Sequence, residues 1–239
     1  MFGWLTNRKC EARERIFSPE AMHRAWREIR TNGPTPGVDG VTLRRFGREL
    51  DDNLATLREA LVDGSYEPLP VKRIFVPKSG GGMRPLGIWA VRDRVAQRVV
   101  HEVLTAKLEP QFLPCSFGFR PGRSVSDAVD AVIGARDRNL RWVVDADIKD
   151  CFGSIDARRL MAQVRRYVSD ANLVELIAKW LHTRVQNPAR SGKVATGASQ
   201  GGVITPLLAN LYLHTFDLEM TRRAPQCVLV RFADDFVML

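Results

Sequence analysis

Two short apolar segments that carry aspartates constrain this chain more than any other feature of its sequence. RWVVDADIKDCF contains Asp145 and Asp147, and VLVRFADDFVML contains Asp234 and Asp235 between two apolar runs. Side chains alternate along a strand, so Asp145 and Asp147 are expected on one face of a strand over residues 141–148. A carboxylate at the end of an apolar strand is unfavourable unless a partner compensates its charge, and a bound cation would do so.

The adjacent Asp234 and Asp235 need a turn if both carboxylates are to lie together. A continuous strand would direct them to opposite faces, whereas a hairpin turn at Ala233-Asp234-Asp235 leaves both near one edge of the sheet. Converging carboxylates repel one another, and two divalent ions relieve this repulsion while activating a hydroxyl and stabilising a leaving phosphate. Mg²⁺ suits such oxygen ligands. Asp-Asp is also common in ordinary turns, but a second strand ending in Asp favours the metal site.

The charge balance indicates an anionic partner. The chain has 239 residues, with 36 Lys and Arg against 27 Asp and Glu, which gives a net charge of +9. Such an excess is typical of nucleic-acid binding, although it also serves simple solubility. Four scattered cysteines without a C-x-x-C pair argue against zinc and fit a reducing cytosol. Without a long apolar N-terminal run, we expect a cytoplasmic protein with no membrane partner.

Hydrophobic periodicity predicts an α+β fold in which helices dominate. Helices are expected at residues 19–30, 43–62, 91–108, 125–138, 156–168, 171–184 and 206–221. Strands are expected at residues 71–76, 84–88, 141–148 and 228–232. Ser18 is the expected N-cap of the first helix, and Gly64 is expected to end the second.

Several motifs follow one another along the chain in a recognisable order. They are GVDGVT (37–42), IFVPKSGGGMRPLGI (74–88), FGFRPGRS (117–124), DIKDCF (147–152), SQGGVITPLLANLYLH (199–214) and FADD (232–235). In their order and content they resemble reverse transcriptases, most closely those encoded by group II introns and their bacterial relatives. The resemblance covers residues 33–239.

The resemblance implies the fingers and palm of a right-hand polymerase, with an RRM-like antiparallel palm sheet flanked by helices. It divides the chain into an N-terminal helical extension (1–32), fingers with the start of the palm (33–140), and an incomplete palm (141–239). We expect the thumb to be absent, because the chain stops soon after the Asp-Asp motif. A fragment, a truncated gene product and one part of a split protein are the open alternatives.

The resemblance also implies roles for individual residues. The expected catalytic residues Asp147, Asp234 and Asp235 hold two Mg²⁺ ions (Mn²⁺ is the alternative), with Ile148 as a further metal ligand and Asp145 as a neighbour. The expected nucleotide-binding residues are Arg73, Lys78, Arg84, Phe152 and Gln200. Cations bind the triphosphate, and the Phe152 ring, if it is not merely a core aromatic, excludes a 2′-hydroxyl. The expected template and primer contacts are Arg120, Arg123, Gly201 and Gly202.

The function implied is RNA-directed DNA polymerisation, the transfer of dNTPs onto a primer 3′-hydroxyl, by a product of a group II intron or related retroelement. The implied partners are an RNA template, a DNA primer and dNTPs, with structured intron RNA, a second copy or a complementing C-terminal fragment as further partners. Two alternatives stay open: an inactive remnant that binds intron RNA, and a defence-associated reverse transcriptase, including one that adds nucleotides without a template.

Overall fold

The computed structural model describes residues 11–77, 81–186 and 201–239. After a helical stretch at residues 11–16, the helices are α1 (Pro19–Ile29), α2 (Leu43–Arg48), α3 (Leu50–Asp63), α4 (Val91–Leu108), α5 (Val125–Asp137), α6 (Cys151–Ser154), α7 (Ala157–Tyr167), α8 (Ala171–Leu181) and α9 (Thr205–Arg223). A 3-10 turn, Glu109–Gln111, follows α4. The strands are β1 (Val71–Pro77), β2 (Met83–Ile88), β3 (Val144–Asp147), β4 (Val185–Gln186), β5 (Leu229–Phe232) and β6 (Asp235–Met238). The predicted α+β class is confirmed.

The predicted helix boundaries hold where capping residues mark them. The Ser18 hydroxyl accepts a hydrogen bond from the Ala21 amide at 3.3 Å, and α1 begins at Pro19. Gly64 ends α3 in the left-handed conformation (φ 88°) that glycine adopts without steric cost.

The single helix predicted over residues 43–62 is wrong, because Glu49 (φ −119°, ψ 48°) separates α2 from α3. The short helix α2 packs closely on α1: the rings of Phe46 and Trp26 lie 5.3 Å apart. A Cβ on Gly47 would come within 3.0 Å of the Trp26 ring. Packing against Trp26 thus overrides the continuous helical periodicity.

The strands form two three-stranded sheets. In the first, β1 pairs with β2 as an antiparallel hairpin and with β4 in parallel. In the second, the antiparallel order is β3-β6-β5, so β6 lies in the middle. The predicted strand at residues 141–148 is shorter than expected, because only Val144–Asp147 pairs with a neighbour.

The main hydrophobic core lies among α1, α3, α4 and α7 to α9, and it includes Met22, Leu61, Val99, Leu173 and Leu208. Residues from all three predicted regions share this core, and the division of the chain at residues 32 and 140 remains a proposal. A smaller cluster of Phe117, Ala128 and Val230 joins α5 to the second sheet. None of the helices in the described parts of the chain is both long and apolar enough to cross a bilayer.

Candidate polymerase active site

The Asp-Asp pair lies at a tight hairpin between β5 and β6. Phe232 pairs with Asp235, so Ala233 and Asp234 alone form the turn. Ala233 adopts a positive φ of 59°, which is characteristic of the first turn residue in two-residue hairpins. A residue with a Cβ adopts this conformation at a cost of about 1–2 kcal/mol. The hairpin expected from the sequence is confirmed, and its strained turn must be held by its surroundings.

Strand register brings the third aspartate to the same place. Asp147, the last residue of β3, pairs directly with Asp235 of β6, and the Ile148 amide donates to the Asp234 carbonyl at 3.3 Å. Residues that pair directly in an antiparallel sheet share a face, with Cβ atoms about 5 Å apart. Asp145 lies on the same face but pairs with Val237, one step back from the edge.

The electrostatics of Asp235 reflect this crowding. Burial, and then the negative charges of Asp147 and Asp234, raise the pKa of the Asp235 carboxyl. The thiol of Cys151 follows the same pattern: burial first, and the charge of Asp234 next, raise its pKa to about 11. A neutral thiol and crowded carboxylates characterise this edge as a concentration of negative charge that a cation would relieve.

The donor set fits a hard divalent cation. Carboxylate oxygens are the ligands that Mg²⁺ prefers, and Mg²⁺ sites use one or two carboxylates together with water and substrate phosphates. Within residues 11–77, 81–186 and 201–239, no group of three His, Cys, Asp or Glu side chains is placed to hold a metal ion. The carboxylates of this edge would therefore bind Mg²⁺ only together with substrate oxygens and water. For Ile148 the structure records only its amide donation to Asp234, and a ligand role remains a proposal.

The expected nucleotide-binding cations differ in where they point. In the β1–β2 hairpin Arg73 pairs with Gly87, whereas Arg84 pairs with Val76. Because positions 73 and 76 are an odd number of residues apart, Arg73 and Arg84 project from opposite faces. Neither forms an ion pair with another described residue. Lys78 and Gln200, also expected here, lie outside the described residues.

The register favours Arg84 over Arg73. Leu86 shares its face with Arg84, and a Cβ built on Gly201 would come within 3.1 Å of the Leu86 side chain. The Arg84 face of the hairpin is therefore the one against which the Gly201 segment packs. Phe152 is half-buried in α6 and packs against the main core, so its role as a steric gate remains a proposal.

The two expected template-contacting glycines have a packing reason of their own. Gly201 has a φ of 111°, and a Cβ there would collide with the Gly87 carbonyl oxygen. A Cβ on Gly202 would lie 2.6 Å from the Thr205 hydroxyl oxygen. The close neighbours are protein atoms of β2 and of the start of α9, and template contact through these glycines remains a proposal.

The geometry of Arg120 argues against the template contact expected of it. The side chain is buried, and Nε and Nη2 both donate to Glu109 Oε1, at 2.9 and 2.6 Å. Nη1 donates to the carbonyls of Leu113 and Ser116, each at 2.8 Å. Arg120 thus fastens the 109–120 loop internally. Arg123 is half-buried, donates to the Pro114 carbonyl at 2.8 Å and lies over the Phe117 ring.

Sequence reasoning missed a buried polar group behind the turn. Arg231, on β5, is fully buried and paired with the fully buried Asp217 of α9. The signal in the sequence was a lone arginine inside the apolar run VLVRF, since arginine is almost never buried unless it is paired. Phe119, within the FGFRPGRS motif, is a second residue near the turn. It is 54% exposed with a φ of 57°, and it follows Gly118, which packs directly on Ala233.

Comparison of the sequence with known protein families gives a match over most of this chain. Residues 76–239 match the family model described as "Reverse transcriptase (RNA-dependent DNA polymerase)". "Protein YkfC" of Escherichia coli (strain K12) is 39% identical over 193 residues, covering 79% of this chain and 51% of the relative. "Group II intron-encoded protein LtrA" of Lactococcus lactis subsp. cremoris is 34% identical over 205 residues, covering 84% of this chain and 34% of that protein.

Solved structures agree at the level of the fold. The structure titled "Partial Cas6-RT-Cas1--Cas2 complex" aligns with a TM-score of 0.60 and 23% identity over 95% of this chain and 38% of that chain. Telomerase from Candida albicans aligns with a TM-score of 0.56 and 14% identity over 80% of this chain and 42% of that chain. This chain spans about half the length of YkfC and a third of LtrA.

Proposed function

Because the chain belongs to the reverse transcriptase family, we propose that it carries the catalytic edge of an RNA-directed DNA polymerase from a group II intron or related retroelement. The observation that carries the proposal is the pairing of Asp147 with Asp235 beside the Ala233–Asp234 turn. This pairing aligns carboxylates from two distant chain segments at one sheet edge. The intron relatives at 34% identity support the retroelement origin.

In this proposal Asp147, Asp234 and Asp235 hold two Mg²⁺ ions. When bound, such ions lower the pKa of an attacking hydroxyl and stabilise the oxygens of a departing phosphate. Asp147, Asp234 and Asp235 would hold these ions at the sheet edge where the primer 3′-hydroxyl and the α-phosphate of the incoming dNTP would be brought together. Mn²⁺ has the same preference for oxygen ligands and serves as the alternative ion.

The remaining groups bind and select the nucleotide. Arg84 projects on the hairpin face that Gly201 covers, and it binds the triphosphate together with Lys78. Gln200 orients the nascent base pair, and the Phe152 ring lies beneath the sugar, where it excludes the 2′-hydroxyl. The RNA template and DNA primer are held electrostatically, which the net charge of +9 supports.

Primer extension on an RNA template with dNTPs and Mg²⁺ tests the proposal. Asp234→Asn keeps the side-chain shape but removes a ligand charge, and we expect extension to fall at least a thousandfold. Asp145→Asn is the matched control, because Asp145 lies on the same face one step from the edge. We expect this control to stay within about threefold of wild type.

Three other outcomes would contradict the proposal. Extension that survives Asp234→Asn would rule out the carboxylate assignment. RNA binding without extension in wild type, unchanged in Asp234→Asn, would indicate an RNA-binding remnant. Products of biased composition without a template would indicate untemplated nucleotide addition.

A further inference from the structure

Every N–H donor of the Arg231 guanidinium is used inside the protein. A guanidinium has five such donors. Nε and Nη2 donate to the two carboxylate oxygens of Asp217, at 2.7 and 2.6 Å. Nη2 also donates to the Ser116 hydroxyl at 2.7 Å, and Nη1 donates to Asn210 Oδ1 at 3.0 Å. The fifth bond runs from Nη1 to the carbonyl of Ala233 at 2.7 Å.

The bond to Ala233 reaches the turn that carries the aspartates. The Ala233 carbonyl belongs to the same peptide unit as the Asp234 amide, so its direction sets the plane of that peptide. Ala233 adopts the left-handed conformation that a residue with a Cβ disfavours. Arg231 lies on the sheet face opposite Asp147 and Asp235, because its neighbour Phe232 shares their face. Arg231 therefore contacts the turn from the opposite side of the sheet, and its full burial keeps it away from any substrate at the aspartates.

The anchors of Arg231 come from two separate segments. Asp217 and Asn210 lie on α9, and Ser116 lies in the loop before α5. The Asn210 Nδ2 donates to the Gly118 carbonyl at 2.8 Å. Gly118 packs so tightly on the turn that a Cβ there would collide with the Ala233 amide. The turn thus contacts both the guanidinium and the Gly118 backbone, and the Asn210 side chain links these two groups.

Stability alone does not account for a buried ion pair here. Replacing such a pair by apolar side chains of similar volume is often neutral or stabilising, because burying two charges is unfavourable. Bidentate geometry does provide orientation, since a planar guanidinium held by one carboxylate has a defined direction for its remaining donors.

We propose that Arg231, oriented by Asp217 and Asn210, is a positioning residue that fixes the Ala233–Asp234 turn so that the Asp234 and Asp235 carboxylates bind a divalent ion together with Asp147. The inference rests on the proposed function, because it assigns a purpose to the orientation of the same carboxylates. It extends the candidate site to a layer of residues on the opposite face of the sheet.

Binding of Mn²⁺ to the full chain, followed by electron paramagnetic resonance alongside primer extension, tests the proposal. Arg231→Lys keeps the charge, but a compact ammonium with three donors cannot reproduce the five bonds of the planar guanidinium to Asp217, Asn210, Ser116 and Ala233. We expect Mn²⁺ affinity at the turn to fall at least tenfold and kcat to fall 10- to 100-fold. KM for dNTP and template affinity should stay within threefold.

Two further variants keep the test decisive if Arg231→Lys does not fold. Asn210→Ala leaves the ion pair intact and frees Nη1, the nitrogen that reaches Ala233, so we expect a 3- to 10-fold loss of Mn²⁺ affinity. Arg94→Lys is the matched control, because Arg94 is also buried and donates to two loop carbonyls, those of Gly33 and Thr35. The control should lose stability without any change in Mn²⁺ affinity or kcat.

The outcomes separate this inference from the proposed function. If wild type binds Mn²⁺ at the turn and extends primers, while folded Arg231→Lys or Asn210→Ala matches it in both, the positioning role is overturned and the proposed function stands. If wild type binds no Mn²⁺, or binds it in a way that Asp235→Asn does not change, the positioning role and the proposed function are both overturned.

Discussion

Asp93 is buried at the start of α4, where its carboxylate joins two chain segments. It accepts hydrogen bonds from the Tyr66 hydroxyl at 2.8 Å and from the Leu69 amide at 3.1 Å. Trp180 Nε1 donates to the same hydroxyl at 3.0 Å, which links α8 to this group. Burial raises the pKa of Asp93 to about 6 despite these donors. The protonation state of this one carboxyl group therefore makes the stability of the main core depend on pH.

The raised pKa of Asp93 predicts how stability depends on pH. The folded protein binds this proton more tightly than the unfolded chain does, so its stabilisation is complete below pH 4 and is lost as pH rises through about 6. A shift of about two units corresponds to roughly 3 kcal/mol. Urea unfolding from pH 4 to 7 should show the unfolding free energy of wild type, relative to that of Asp93→Asn, falling by about this amount. Parallel curves for the two proteins would contradict the assignment.

The surroundings of two glycines lead us to expect opposite effects on stability when each is replaced by alanine. Gly201→Ala places a Cβ against the Gly87 carbonyl at a φ of 111°, so we expect a loss of roughly 2 kcal/mol or more. Gly134 lies within α5, and a Cβ there meets nothing within 4 Å. Gly134→Ala should therefore stabilise the protein by about 0.5–1 kcal/mol. Thermal unfolding of both variants distinguishes them, and equal shifts of the same sign would refute the steric explanation.

At the scale of elements, the second sheet depends on supports from both faces. Helix α9 contacts the Arg231 face, where Phe216 lies 5.0 Å from Phe236 between ring centroids. Helix α5 packs on the other face through Ala128 and Val230. Strand β5 is also bridged to the preceding loop, since the Arg231 amide donates to the Cys115 carbonyl at 2.8 Å. The β5–β6 hairpin is short, and contacts with these neighbours stabilise it in addition to its own backbone hydrogen bonds.

Helices α7 and α9 both end in two arginines, but they differ in whether an acidic side chain pairs with them. Arg165 and Arg166 lie exposed in the last turn of α7, and neither forms an ion pair with another residue in the described ranges. Arg222 and Arg223 occupy the equivalent turn of α9, but both pair with Glu219. The α7 arginines are therefore available to bind phosphate with both of their charges, whereas Glu219 offsets one of the two charges of the α9 pair.

This contrast predicts different salt dependence of RNA binding. In Arg165→Gln/Arg166→Gln we expect the salt dependence of RNA binding to become shallower. The magnitude of the slope of log K against log salt should decrease by roughly 1.4, because each single-strand phosphate that an arginine neutralises contributes about 0.7 to that magnitude. Arg222→Gln/Arg223→Gln is the matched control and should change the slope by less, because Glu219 offsets one of its two charges. Fluorescence anisotropy with a labelled RNA over a salt series measures both. Equal slopes in the two double variants would exclude α7 from the RNA-binding surface.

At the scale of the whole molecule, local signals in the sequence determined a large part of the structure. Capping residues and periodicity located α1, α4 and the β1–β2 hairpin, because these features depend on neighbours along the chain. The presence of a hairpin turn at Asp234, next to Asp235, was likewise predictable, since a strand cannot direct adjacent side chains to one face. The motif order indicated the family, and the match over residues 76–239 confirmed it.

Only the tertiary structure decided how distant segments meet. The register that pairs Asp147 with Asp235 joins strands far apart in sequence. The opposite directions of Arg73 and Arg84 and the burial of Arg120 involve nearer segments, but they too depend on strand register and packing that exist only in the folded chain. The hydrogen bonds from Arg231 to Asp217, Asn210 and Ser116 also join segments far apart in sequence. A sequence specifies which side chains are present, but the Arg231 guanidinium makes its five hydrogen bonds only when α9 and the loop before α5 pack against β5.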